Sequence, residues 1–192
     1  MHKVIVYGSK EFAKLIKQLV INCGHEFVGF IDDLEPHKDE VLGSFEDVRK
    51  KYSTSEYCIV YGIGYNSLSA RWNIYNKVLS YGYETINLIH PTAIIDKTSI
   101  MGKGLIVMAG VIVDTNVKLG DLVVLWPGTV VSHDSEIESN CFLSPNSTIC
   151  GFTKIGSSSF IGAGATVVNN THVPPNSFIK AGSVFYVTHK VD

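Results

Sequence analysis

The 192-residue chain lacks most of the features that announce a function directly. No apolar run approaches the roughly 18 to 20 residues needed to cross a bilayer, so no spanning helix is expected. Sixteen basic residues against eighteen acidic ones leave a formal net charge of −2. That balance supplies no basic field of the kind that gathers nucleic acid or anionic lipid. The four cysteines, Cys23, Cys58, Cys141 and Cys150, form no C-x-x-C pair and no evident disulfide framework. A reducing cytoplasm is therefore the expected location. The opening Met1-His2-Lys3 runs straight into Val4-Ile5-Val6-Tyr7-Gly8, which is too short for a secretory leader. The first glycine turn, Gly8-Ser9-Lys10-Glu11-Phe12-Ala13, is not G-x-G-x-x-G, which argues against nicotinamide redox chemistry. No tight second and third histidine accompany His133, so no metal site is expected. Of the remaining histidines, His90 sits at a domain break, His189 in the tail, and His2, His25, His37 and His172 follow no pattern.

What is present is a period of six. From Ile95 an aliphatic residue occupies every sixth position through Met101, Val107, Val113, Leu119, Leu125, Val131, Ile137, Leu143, Ile149, Ile155, Ile161, Val167, Val173 and Ile179. Two positions before each stands a residue that is usually small or β-branched, such as Thr129, Ser135, Ser147, Thr153, Ser159 or Ala165. An α-helix at 3.6 residues per turn would scatter this series around its cylinder. A single alternating strand would be far too long. A solenoid of short strands turning a corner every six residues accommodates it: a hexapeptide β-helix.

The first ~90 residues keep a different rhythm, in which strand and helix patterns alternate. Strands are expected over 3–7, 27–31, 57–61 and 84–89, and helices over 11–21, 46–51 and 67–79, with Ser9 as an N-cap. Alternation of this kind implies a small parallel sheet with helices on its faces. His90-Pro91 marks the break, giving an α/β domain over 1–90 and a solenoid over 91–192. Open α/β sheets bind ligands at the carboxyl ends of their strands. Gly8, Ser9, Asp32, Asp33, Gly62 and Gly64 are expected along that edge. Asp32 and Asp33 either accept hydrogen bonds from a base or sugar, or simply solvate a strand end.

In the solenoid, His133 and Asp134 draw attention. With 18 residues per coil, His133 stacks between Thr115 and Gly151, two residues past the inward Val131, on a face or corner. An imidazole beside a carboxylate can act as an oriented general base, and a Gly151 N–H one coil away can hold a developing oxyanion. The plainer alternative is a surface histidine next to a solvated acid. Cys141 occupies a small-residue position and reads as core filler.

Three groups of motifs together resemble the PglD/NeuD-like sugar acyltransferases of the hexapeptide transferase family. They are Val4-Ile5-Val6-Tyr7-Gly8, Phe30-Ile31-Asp32-Asp33 and Gly62-Ile63-Gly64-Tyr65-Asn66 in the first domain; Asn87-Leu88-Ile89-His90-Pro91 at the junction; and Ser132-His133-Asp134, Leu143-Ser144-Pro145 and Ile161-Gly162-Ala163-Gly164-Ala165 in the solenoid. The resemblance implies a Rossmann-like α/β domain followed by a left-handed parallel β-helix, which assembles as a homotrimer. It implies transfer of an acyl group from acetyl-CoA or another acyl-CoA to the amine of a nucleotide-linked amino sugar. His133 and Asp134 align with the catalytic pair of that family, and Gly151, Ala163 and Ala181 with its coenzyme-binding run. Gly8, Ser9, Asp32, Asp33, Gly62 and Gly64 would then bind the nucleotide sugar. O-acetylation of a sugar, or a non-catalytic trimeric sugar-binding scaffold, are the competing readings. The chain departs from the family pattern at Gly8 to Ala13, at Trp126-Pro127, at Phe142 and at Gly182-Ser183-Val184-Phe185-Tyr186.

Overall fold

The structure, a computed structural model, describes residues 1–186. It divides into two compact units, Met1–Leu88 and Ile89–Asp192. The tail histidine, His189, lies outside the described residues.

The first unit is built on a parallel sheet of order β3-β2-β1-β4. Its strands are β1 (Lys3–Tyr7), β2 (Glu26–Ile31), β3 (Val41–Gly43) and β4 (Tyr57–Tyr61). Helices α1 (Glu11–Asn22), α2 (Phe45–Lys51) and α3 (Leu68–Ser80) connect and flank them. Val4, Ile5, Val6, Ile31, Ile59 and Val60 are buried without alternation, the signature of a sheet covered on both faces. Helix α1 contributes Ala13, Ile16, Leu19 and Val20 to that core.

Two expectations for this unit fail. Residues 84–89 do not form a fourth strand of this sheet. Tyr83 and Thr85 are buried alternately, as in a strand, and the Ile59 N–H donates to the Glu84 carbonyl, but no strand of this sheet includes residues 84–87. The fourth strand is instead β3, only three residues long. Nor does Ser9 cap α1: the N-cap is Lys10, with no side-chain hydrogen bond, because the Ser9 hydroxyl is engaged by Asp32.

The second unit is a left-handed parallel β-helix whose three faces are stacks of two-residue strands. The first face carries Ile100–Met101, Lys118–Leu119, Glu136–Ile137, Lys154–Ile155 and His172–Val173. The second runs from Leu88–Ile89 to Phe178–Ile179, and the third from Ile94–Ile95 to Val184–Phe185. Every register pairs residues 18 apart, as in Val130 with Thr148 and Glu136 with Lys154. The second residue of each strand points inward, so that Val107, Val131, Ile137, Leu143, Ile149, Ile155, Ile161 and Val167 form one continuous core with no solvent exposure.

The residues two places earlier serve the corners. The Ser135 hydroxyl donates to the Cys150 carbonyl at 2.9 Å and accepts the Thr153 N–H at 3.2 Å. Ser159 repeats the arrangement with the Pro174 carbonyl and the Ser177 N–H. At Ser135 and Ser159 the buried hydroxyl thus satisfies one backbone acceptor and one backbone donor of the sharp turn. Cys141 at the same column is fully buried.

Candidate active site

The corner between the third and first faces carries His133 and Asp134. Such a corner needs left-handed backbone at its second residue, and φ is +55° at Asp134. Aspartate tolerates that region because its short polar side chain bonds locally. The turn brings the two adjacent side chains together: His133 Nδ1 lies 3.0 Å from Asp134 Oδ2. The other carboxylate oxygen accepts from Asn116 Nδ2 at 3.1 Å, one coil away. Hydrogen bonding by His133, then by Asn116, holds the Asp134 carboxyl below its usual range, so it is ionised at neutral pH. An ionised Asp134 at Nδ1 directs the remaining nitrogen, Nε2, toward proton exchange.

Gly151 stacks directly on this histidine. A Cβ added there would lie 2.7 Å from His133 Cε1 and 2.8 Å from Nε2, closer than real contacts allow. The Gly151 N–H has no hydrogen-bond partner among the described residues. Beside it, the Phe152 ring meets the imidazole edge to face, with centroids 5.1 Å apart.

Ala163 and Ala181 lie on a different corner, between the second and third faces, stacked one coil apart; the Gly182 N–H donates to the Ala163 carbonyl at 2.8 Å. Both alanines are exposed, and neither N–H is used by a described residue. A single chain therefore does not bring these two residues to the His133 corner. Trp126 and Phe142 belong to the second face and pack on one another with centroids 6.1 Å apart, and the Phe142 ring is buried against Phe160.

In the first unit the six candidate residues gather at the carboxyl edge of β1, β2 and β4. The chain moves from β1 to β2 on one side and later to β4 on the other, so the switch point lies between β1 and β4. Gly8 and Gly62 meet there. Gly8 has φ +107°, and a side chain on it would strike the Gly62 carbonyl at 2.8 Å. A side chain on Gly62 would strike Ala13 of α1 at 2.6 Å. Gly64 precedes a short 3₁₀ turn over Tyr65–Ser67.

Asp32 is nearly buried, and its carboxylate is engaged on both oxygens. Oδ2 accepts the Ser9 hydroxyl at 2.5 Å, and Oδ1 accepts the Leu34 and Glu35 N–H groups at 2.9 and 3.0 Å. Burial is the largest single influence on this carboxyl and pushes it up, but these three hydrogen bonds together bring it below its usual value. Asp33 accepts the Tyr7 hydroxyl at 2.5 Å and the Phe45 N–H, at the start of α2, at 2.8 Å. Both acids thus shape the edge.

Asn116 and Phe152 were not singled out from the sequence. Each lies 18 residues from Asp134, so the coil length was the signal that could have found them.

Residues 3–78 match the family described as the PglD N-terminal domain, and residues 134–169 match the bacterial transferase hexapeptide family, over six repeats. The acetyltransferase domain of PglB from Neisseria gonorrhoeae FA1090 superimposes with a TM-score of 0.90 at 26% identity, over 100% of this chain and 94% of that one. Its complex with acetyl coenzyme A gives 0.88 at 27%, over 96% and 91%. A point variant of perosamine N-acetyltransferase from Caulobacter crescentus, in complex with CoA and GDP-perosamine, gives 0.89 at 25%, over 97% and 89%.

Proposed function

We infer, for a chain that belongs to the hexapeptide transferases with a PglD-type N-terminal domain, an acyl-CoA-dependent N-acyltransferase that acetylates a nucleotide-linked amino sugar. The observation that carries this reading is the oriented imidazole of His133, bonded to Asp134 on one nitrogen and stacked over Gly151 with the other. The ligands of the two solved relatives, acetyl coenzyme A in one and CoA with GDP-perosamine in the other, support the two substrate classes.

The chemistry follows from the groups present. An amine attacking a thioester carbonyl must lose a proton as the new C–N bond forms, and His133 accepts it at Nε2. Asp134 holds the ring in one orientation and stabilises the imidazolium that results. The Gly151 N–H donates to the carbonyl oxygen as it gains negative charge. The proton then leaves with the thiolate of CoA, and the chain returns to its starting state without a covalent acyl-enzyme. The exposed, unused N–H groups of Ala163 and Ala181 suit the amide-rich arm of CoA. At the other end of the reading, the edge built from Gly8, Ser9, Asp32, Asp33, Gly62 and Gly64 receives the nucleotide sugar.

His133 and Gly151 stand on one corner, and Ala163 and Ala181 on another. A site completed between copies requires the Ala163–Ala181 corner of one solenoid to sit beside the His133 corner of the next, a heterologous contact that a homotrimer closes. Among the described residues no helix is long and apolar enough to cross a membrane, and the four cysteines carry no disulfide. A cytoplasmic enzyme fits both, and CoA and nucleotide sugars are substrates of that compartment.

The test is transfer from acetyl-CoA, followed by thiol release, across UDP-, dTDP- and GDP-linked amino sugars and their hydroxyl counterparts. One amino sugar should be acetylated, His133→Ala should lower its turnover about 10² to 10⁴-fold, and Asp134→Asn should lower it less. A parental rate in His133→Ala removes the base assignment; acetylation of the hydroxyl series alone removes N-transfer.

A further inference from the structure

The corner that carries His133 recurs down the solenoid, and its second residue is left-handed at Asn116 (φ +58°), Asp134 (+55°), Phe152 (+55°) and Asn170 (+56°). Three of these are the residue types that enter this region readily. Phenylalanine is not, because its Cβ and ring gain no local hydrogen bond in return for the steric conflict.

One other bulky apolar residue in the solenoid has the same backbone: Leu122, at φ +58°. Leu122 is completely buried, so packing offsets its strain. Phe152 is 58% exposed and obtains far less from burial. What the Phe152 ring does contact is His133, edge to face at 5.1 Å and 87°. Its N–H also donates to the His133 carbonyl at 3.1 Å. The imidazole is thus bounded by Asp134 at Nδ1, by Gly151 along its stacking direction, and by the Phe152 ring.

Strain kept where burial does not repay it points to function rather than to folding. We propose that Phe152 is a positioning residue for acyl transfer: its ring fixes the plane of the His133 imidazole, so that Nε2 stays aligned with the attacking amine, and it shields one side of that nitrogen from water. The proposal rests on His133 being the base.

The test compares Phe152→Asn, Phe152→Gly, Phe152→Tyr and His133→Ala in the full chain with acetyl-CoA and its amino-sugar acceptor. Asparagine and glycine relieve the backbone and remove the ring. Both variants should melt about 2 to 4 °C higher than the parent while kcat falls about 10- to 100-fold and KM for each substrate holds within about threefold. Tyrosine keeps the ring and should keep the parental kcat. A residue with only a structural role would move melting and kcat in the same direction, or melting alone. The proposal is overturned if kcat of Phe152→Asn stays within about twofold of the parent while His133→Ala is inactive. It is equally overturned if the Asn and Gly variants both melt lower, since the ring would then serve stability. If His133→Ala transfers at the parental rate, the base assignment itself fails, and the role of Phe152 fails with it.

Discussion

A single methyl group separates Gly151 from alanine, and the His133 ring occupies the space that methyl would take. The backbone of Gly151 is not left-handed, so any residue could adopt it; contact with the imidazole, at 2.7 to 2.8 Å from a Cβ, is what selects glycine. Gly151→Ala should therefore swing the ring away from Asp134 while the coil remains intact. Turnover is expected to fall about 10- to 100-fold, with the circular dichroism spectrum unchanged. Unaltered kinetics in that variant would show that the ring has room to move without consequence. At this scale much of the corner was legible in advance, because a fixed coil of 18 residues converts sequence separation into stacking: Thr115, His133 and Gly151 follow directly. Asn116 and Phe152 follow from the same arithmetic applied to Asp134. The separation of Ala163 and Ala181 from His133 also follows from it, since 30 and 48 residues are not whole coils. What spacing did not reveal is the role of Ser9, whose hydroxyl had two candidate partners, a helix N-terminus and a carboxylate on a neighbouring strand. The charged acceptor won, in keeping with the greater strength of hydrogen bonds to ionised groups.

Among elements, the solenoid strands owe their stability to repetition and not to length. Each is two residues long, and at Ser135 and Ser159 a buried hydroxyl satisfies backbone groups of the turn. Ser135→Ala deletes the partner of the Cys150 carbonyl and of the Thr153 N–H together. A loss of about 1 to 3 kcal/mol is expected, measurable in urea, whereas Ser135→Thr, which keeps the hydroxyl, should lose less. Equal losses in the two would mean that volume, not hydrogen bonding, sets this column. In the first unit, the loop after β2 depends on the Asp32 carboxylate. Its folded value is lowered, so the stability it contributes is complete above its unfolded value near 3.8 and is lost as pH falls through the lower folded one. The difference in melting temperature between the parent and Asp32→Asn should be level from roughly pH 5 to 8 and narrow below about pH 4. A difference that widens on acidification would reverse the sign of this account. The same unit shows where pattern reading stops. Strand β3 is too short, at three residues with a terminal glycine, to display alternation. Residues 83–85 display it without a ladder, because Tyr83 is drawn inward by its hydroxyl bond to the Tyr52 carbonyl.

For the whole molecule, the three faces of the solenoid differ in chemistry, and the difference bears on assembly. The first face presents a charged column, in which Lys154 pairs with both Glu136 and Glu138. The third presents aliphatic side chains to solvent, with Ile94 at 65%, Ile112 at 41% and Val184 at 61% exposure. Ile94 and Ile112, in register on neighbouring strands, form a small aliphatic patch at one end of this face, and Thr148 and Thr166 separate it from Val184. Exposed apolar patches of this kind mark interfaces. The third face also lies between the corner of His133 and the corner of Ala163 and Ala181. A contact that joins unlike corners is heterologous, and it closes without loose ends when three copies complete the ring. On this reading, burying the third face and completing the catalytic site are one event. Ile112→Glu places a charge in that contact without touching His133, Asp134 or Gly151. Sedimentation equilibrium should give three times the chain mass for the parent and a smaller mass for the variant. Transfer activity should fall in step with the loss of trimer and recover as protein concentration is raised. A parent that sediments as a monomer while transferring acetyl groups would show that one solenoid holds a complete site.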